Sequence, residues 1–116
     1  MNFFRIEDLS VETVEGNVDR RVFTTDKMMM VFYTFPPNKK FPAHSHEVHE
    51  QMGYLISGKL KYKLGSEERI MVAGDCYFVP PNVIHGTETL DEPAVLMDVF
   101  CPPREDFIKG TIGETK

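Results

Sequence analysis

A chain of 116 residues, 41% hydrophobic and 27% charged, can bury one real core and is too short for two ordinary ones, so residues 1–116 are read as a single domain. A net charge of −5 argues against a nucleic-acid partner, which needs a basic face, and no apolar run reaches the roughly 20 residues of a membrane helix. The N-terminal "MNFFRIEDLS" carries acids behind its apolar residues and has no signal-peptide pattern, which predicts a cytoplasmic protein without a membrane partner.

In chain order the signals are almost all β. "RRVFTT", "MMMVFYTF", "MGYLIS", "KLKYKL", "ERIMV", "DCYFVP" and "AVLMDVF" are short, rich in aliphatic and aromatic residues, and partly alternating. Turn residues separate them: "TDK", "PPNK", "SGK", "GSEE", "AGD", "PPN" and "DEP". The spacing predicts an antiparallel sandwich or barrel. The methionines at 28–30 read as strand packing, because Met fills irregular gaps. The pair in "PPNKKF" reads as a solvated loop tip, and Gly58, Gly74 and Gly86 read as turn requirements. Cys76 and Cys101 lack metal or redox spacing and read as buried or idle thiols. The tyrosines read as core or interface. The tail "PPREDFIKG" predicts a helical turn or two, with acids at its start and a late lysine and glycine.

"HSHEVHEQMGYLISG", residues 44–58, concentrates potential metal ligands. His44 and His46 are two apart, so on a strand both imidazoles leave one face and can converge on one cation. His49, Glu50 and Gln51 follow, and alternation alone does not choose among them. The one other histidine is His85, in "VPPNVIHG".

These residues fit two motifs in order. His44, His46, Gln51 and Gly58 match the first cupin motif; Gly74, Pro80, Asn82 and His85 match the second. The chain therefore resembles the cupin superfamily, and specifically its small single-domain members. Gln51 stands where the pattern often has Glu, and two further positions depart from it without touching the site. Asn82 replaces a usual glycine but tolerates positive φ, and Thr89 stands at a usual asparagine. The resemblance implies an all-β fold, the cupin double-stranded β-helix or antiparallel jelly-roll barrel. It also implies one divalent metal ion on His44, His46, Gln51 and His85, and it selects Gln51 over its neighbours. His49 is then a rim residue and Glu50 is solvated. A neutral amide ligand leaves a divalent ion its full charge and favours anions. Three imidazoles and an oxygen without thiolate suit Mn, Fe, Co, Ni or Zn and leave coordination positions open.

The tail "LMDVFCPPREDF", together with the motifs, is similar to the KdgF family of small cupins from pectin and alginate breakdown, which open 4,5-unsaturated monouronates into linear ketouronates. That resemblance places catalytic roles on Asp98, Phe100 and Arg104, with a small sugar acid as the partner. Asp98 and Phe100, two apart on one strand, should share the inner face. Asp98 is expected to be a general acid/base, Arg104 a bidentate clamp on the substrate carboxylate, and Phe100 a wall for the ring. The alternative for Asp98 is a structural ion pair with Arg104. Rival readings are a cupin dioxygenase, needing Fe(II) and oxygen, or another metal-dependent small-molecule enzyme, a sugar-acid binding module without turnover, and a metal-stabilised structural protein. A homodimer through the N-terminal "NFFRIEDL" is also expected.

Overall fold

The computed structural model describes residues 2–107. After a 3-10 turn at Ile6–Asp8 come nine strands: β1 Glu12–Val14, β2 Val18–Thr24, β3 Met29–Phe35, β4 Glu50–Ser57, β5 Lys59–Leu64, β6 Glu67–Val72, β7 Cys76–Val79, β8 His85–Thr89 and β9 Ala94–Cys101. They form two antiparallel sheets, one in the order β1-β2-β3-β9-β4-β7 and one in the order β6-β5-β8. This is a jelly roll.

Alternation decides what each strand buries. On β4, Gln51, Gly53 and Leu55 point inward while Glu50, Met52 and Tyr54 point out; on β9, Ala94, Leu96, Asp98 and Phe100 point inward. Val18, Phe35, Leu55, Ala94 and Leu96 from the large sheet meet Leu60, Tyr62 and Met71 from the small one, and this is the main core. Each fully buried Leu contributes about 1.5–3 kcal/mol relative to exposure. A second cluster holds Met29, Val31, Phe100 and Phe107. Asp98 and Gln51 lie on β9 and β4 between the two clusters, which leaves a polar floor between apolar ends.

Chain crossing between sheets happens at Gly58, where φ is +83°. A Cβ there would collide with the Pro93 carbonyl oxygen, so only glycine fits.

Two strands were not expected. β1 is only three residues long, and β8 reads "HGTET", a polar string with no alternating signal. β8 exists because it is paired on both sides. β5 flanks one edge, and the segment 40–44 runs along the other, with bridges Lys40–Glu88 and His44–His85. Gly86 is accordingly no turn residue. It lies inside β8, where a Cβ would come 3.1 Å from the Ala43 Cα, so its bare backbone admits the neighbouring segment. His44 and His46 are not on a regular strand either; His44 sits at the isolated bridge and His46 in the loop beyond it.

Met29 is buried and Met28 exposed, as strand packing requires. Both cysteines are free and exposed rather than buried. Residues 105–107 begin a helical turn, with Phe107 N–H donating to the Arg104 carbonyl at 3.1 Å; the remainder of the expected tail helix lies outside the described residues. Before β1 there is no strand among residues 2–11. Phe3 is 95% exposed, and Phe4 stacks on Phe23 at 4.3 Å.

Candidate metal centre and its cavity

Backbone pairing gathers the histidines. His44 and His85 exchange both N–H···O bonds at 2.8 Å, and the Asn82 N–H donates to the His46 carbonyl at 2.6 Å. Asn82, at φ +68°, makes the turn after Pro80 and Pro81 that permits this tie. The ring centroids lie 4.4 Å (His44–His85), 4.9 Å (His44–His46) and 5.0 Å (His46–His85) apart. One nitrogen from each lies within 4.8 Å of the others, close enough to share a metal ion.

Local carbonyls orient the rings. His44 Nδ1 lies 3.2 Å from the Pro42 carbonyl, and His85 Nδ1 lies 3.0 Å from that of Val83. A carbonyl can only accept, so each Nδ1 carries the proton and each Nε2 presents its lone pair. Burial pushes the His46 imidazole down to about 4, helped by the Arg104 charge and the other histidines. Burial likewise lowers His85, against its bond to Val83. Both rings are neutral donors at neutral pH. His49 stands at the rim. Its ring is 5.6 Å from that of His46, and its Nδ1 bonds the Pro102 carbonyl at 2.8 Å.

Beside the histidines, β4 and β9 contribute Gln51 and Asp98, respectively 4% and 3% exposed. Gln51 Nε2 donates to Asp98 Oδ2 at 2.9 Å, and the Tyr77 hydroxyl donates to Asp98 Oδ1. Tyr77 reaches Asp98 over Gly53, which pairs with both residues across the sheet; a Cβ at Gly53 would land in the Tyr77 ring. Burial pushes the Asp98 carboxyl up to about 7, although the bonds from Tyr77 and Gln51 and the Arg104 charge pull the other way.

Arg104 does not pair with Asp98. Its Nε and Nη2 make a bidentate pair with Asp106 at 3.2 and 2.8 Å. Its guanidinium lies over Phe107 at 3.9 Å and 5.3 Å from the Phe100 centroid, while Arg20, itself paired with Glu12, lies 4.1 Å from the same Phe107 ring. The alternative of an Asp98–Arg104 ion pair is thereby replaced: Asp98 has neutral partners, and an exposed carboxylate holds the arginine.

A cavity of about 190 Å³ joins these groups, walled by His44, Gln51, His85, Asp98, Phe100 and Arg104 and by Tyr33, Tyr62 and Tyr77. Larger but separate is a surface groove of about 820 Å³ past His49, which touches none of the three clustered histidines. Among the described residues four buried polar side-chain atoms have no hydrogen-bond partner: His46 Nε2, His85 Nε2, Gln51 Oε1 and Thr87 Oγ1. Unpaired buried acceptors are costly, and a cation shared by the clustered histidines would satisfy their nitrogens, with the Gln51 amide oxygen a further candidate donor. Imidazole nitrogens with an amide oxygen suit first-row divalent metals.

Sequence reasoning passed over Tyr77 as core and did not name Asp106. The signal for Tyr77 was Gly53: a glycine on the inner face of a central strand marks a place where a large neighbour lies flat across the backbone.

Residues 31–100 match the family described as Cupin domain. The chain is 32% identical over 107 residues to the pectin degradation protein KdgF of Dickeya dadantii, covering 91% of this chain and 97% of that protein. Among solved structures it is similar to KdgF from Halomonas sp., with TM-score 0.85, 29% identity and coverage of 91% and 99% of the two chains. It is also similar to an RmlC-like cupin from Shewanella frigidimarina, with TM-score 0.85, 30% identity and coverage of 92% and 96%.

Proposed function

The chain belongs to the cupin domain family, and from that membership we propose that it is a metal-dependent enzyme opening the ring of 4,5-unsaturated monouronates to linear ketouronates. His44, His46, Gln51 and His85 would hold one divalent ion, of Ni, Zn, Mn, Fe or Co. When bound, that ion supplies Lewis acidity and positive charge next to a substrate anion. The relatives named for pectin degradation support the substrate class.

An unsaturated uronate is a cyclic hemiacetal whose ring oxygen sits on an enol carbon. In the reaction the anomeric hydroxyl gives up its proton and C1 becomes a carbonyl as the C1–O5 bond breaks. O5 takes the electron pair as an enolate, and C4 then accepts a proton. Atoms and electrons balance without a co-reactant. Asp98 is the one buried carboxyl among the described residues, and it faces the cavity, so it takes the role of holding and returning the proton. Arg104 faces the same cavity with Nη1 outside its pair with Asp106, and it takes the substrate carboxylate. Phe100, 1% exposed, closes the cavity against water. Arg104, with a bound divalent ion, would supply the local positive charge that an acidic protein needs for an anionic substrate.

The observation that carries this reading is the convergence of His44, His46 and His85, one nitrogen of each within 4.8 Å of the others, beside a cavity of about 190 Å³ that Gln51, Asp98 and Arg104 line. The test follows the ultraviolet absorbance of a 4,5-unsaturated uronate mixed with metal-loaded protein. Loss well above the spontaneous rate is expected. A rate equal to the spontaneous one, with metal demonstrably bound, would refute the proposal.

A further inference from the structure

We infer that Tyr77 is a positioning residue of the metal centre: acting through Asp98, it sets which end of the Gln51 amide faces the histidines. The inference rests on the reading of Gln51 as a ligand and goes beyond it, because it gives a role to Tyr77, which is no ligand and whose hydroxyl donates to Asp98.

A glutamine amide has two ends of nearly equal size and opposite chemistry. Oε1 has lone pairs and can ligate a cation, whereas the NH2 end has two donors and cannot. Steric fit therefore does not choose between them; a hydrogen-bond partner must. Gln51 is 4% exposed, so bulk solvent does not choose between the two ends. Its Nε2 instead donates to Asp98 Oδ2 at 2.9 Å, while Oε1 is left buried with nothing to accept from. That arrangement is expensive in itself, and it becomes favourable when Oε1 meets a cation.

Asp98 can select the amide only while its own rotation is fixed and its oxygens act as acceptors. Tyr77 supplies that constraint by donating to Oδ1, on the opposite side of the carboxylate from Gln51. The phenol is held rigidly. Its ring stacks on Tyr62 with centroids 4.2 Å apart, and it lies across the bare backbone of Gly53. Gly53 pairs with Tyr77 on β7 and with Asp98 on β9, so one residue's missing side chain brings donor and carboxylate together. The chain Tyr77–Asp98–Gln51 thus runs across three adjacent strands and ends on the one ligand whose polarity is ambiguous. His44 and His85 have their own orienting carbonyls; Gln51 has this relay.

The experiment titrates metal-free protein with Co(II), reading the visible absorption band for coordination and a competing chelator for affinity, with no substrate present. Tyr77→Phe keeps the stacked ring and removes the donor; it is expected to weaken Co(II) binding three- to tenfold and change the band. Asp98→Asn removes the acceptor-only group and is expected to weaken binding about ten- to hundredfold. In a Gln51→Ala background, Tyr77→Phe is expected to cost nothing more, because its effect runs through the amide. Equal loss from Tyr77→Phe in both backgrounds, or unchanged affinity and spectrum in the single variant, would overturn the inference while leaving the ligand set standing. Wild-type protein that takes up no Co(II) would overturn both.

Discussion

His44 and His85 stand 41 residues apart and face each other as a two-bond antiparallel pair, each N–H donating to the other's carbonyl at 2.8 Å. The imidazoles are thus set by backbone hydrogen bonds, with only His46 depending on a loop. A cation shared by these rings ties the 40–46 segment to β8 and stabilises the folded state by mass action. Chelation is expected to lower the melting temperature by several degrees and re-addition of metal to restore it; at metal 100-fold above Kd the effect is about 2.7 kcal/mol. His85→Ala should abolish this metal-dependent shift, and calorimetry with and without chelator checks both.

Asp98→Asn should separate activity from stability. Loss of a general acid/base is expected to slow turnover by about 10²–10⁴-fold. Asn avoids burying a charge but sets an NH2 against one of the two donors, Gln51 or Tyr77, so the metal-free variant should lose a hydrogen bond and at the same time lose the wild type's pH-dependent cost of ionising a buried group.

The pH dependence of that difference has a definite sign. The Asp98 carboxyl is raised from 3.8 to about 7 on folding, chiefly by burial. Its neutral form is the one the fold favours, so its contribution is complete below about pH 3.8 and is lost as pH rises through about 7. Metal-free wild type should therefore lose stability relative to Asp98→Asn across that interval. Parallel melting curves at each pH would contradict the assignment.

Arg104→Lys keeps the charge but loses the bidentate pair with Asp106 and the planar stack on Phe107. KM for the uronate should rise about tenfold with a smaller change in kcat, and stability should fall by about 1 kcal/mol. Asp106→Ala removes the exposed carboxylate that holds Arg104 and should raise KM by less than Arg104→Lys does, with stability changed by less than about 1 kcal/mol.

Gly58→Ala puts a Cβ against the Pro93 carbonyl at φ +83° and should destabilise the protein by about 2 kcal/mol or more, read as the urea midpoint. The expected homodimer has its own measurement. Light scattering should give twice the chain mass, consistent with exposed Phe3, Met52 and Phe78, and a single-chain mass would rule it out.

The pattern of residues by itself determined the β-rich class, the inward alternation of Gln51 with Leu55 and of Asp98 with Phe100, and the short list of candidate ligands. These follow from side-chain period and residue chemistry, which are local. It misread His44 and His46 as strand partners and Gly86 as a turn, and it left β8 unseen, because "HGTET" becomes a strand only when β5 and the 40–44 segment supply its hydrogen bonds. It offered Arg104 as a partner for Asp98, and only the folded chain brings Tyr77 and Gln51 to that carboxylate and Asp106 to the arginine. Which polar groups meet is decided by strand order and register, and those are set by contacts dozens of residues apart that no local window contains.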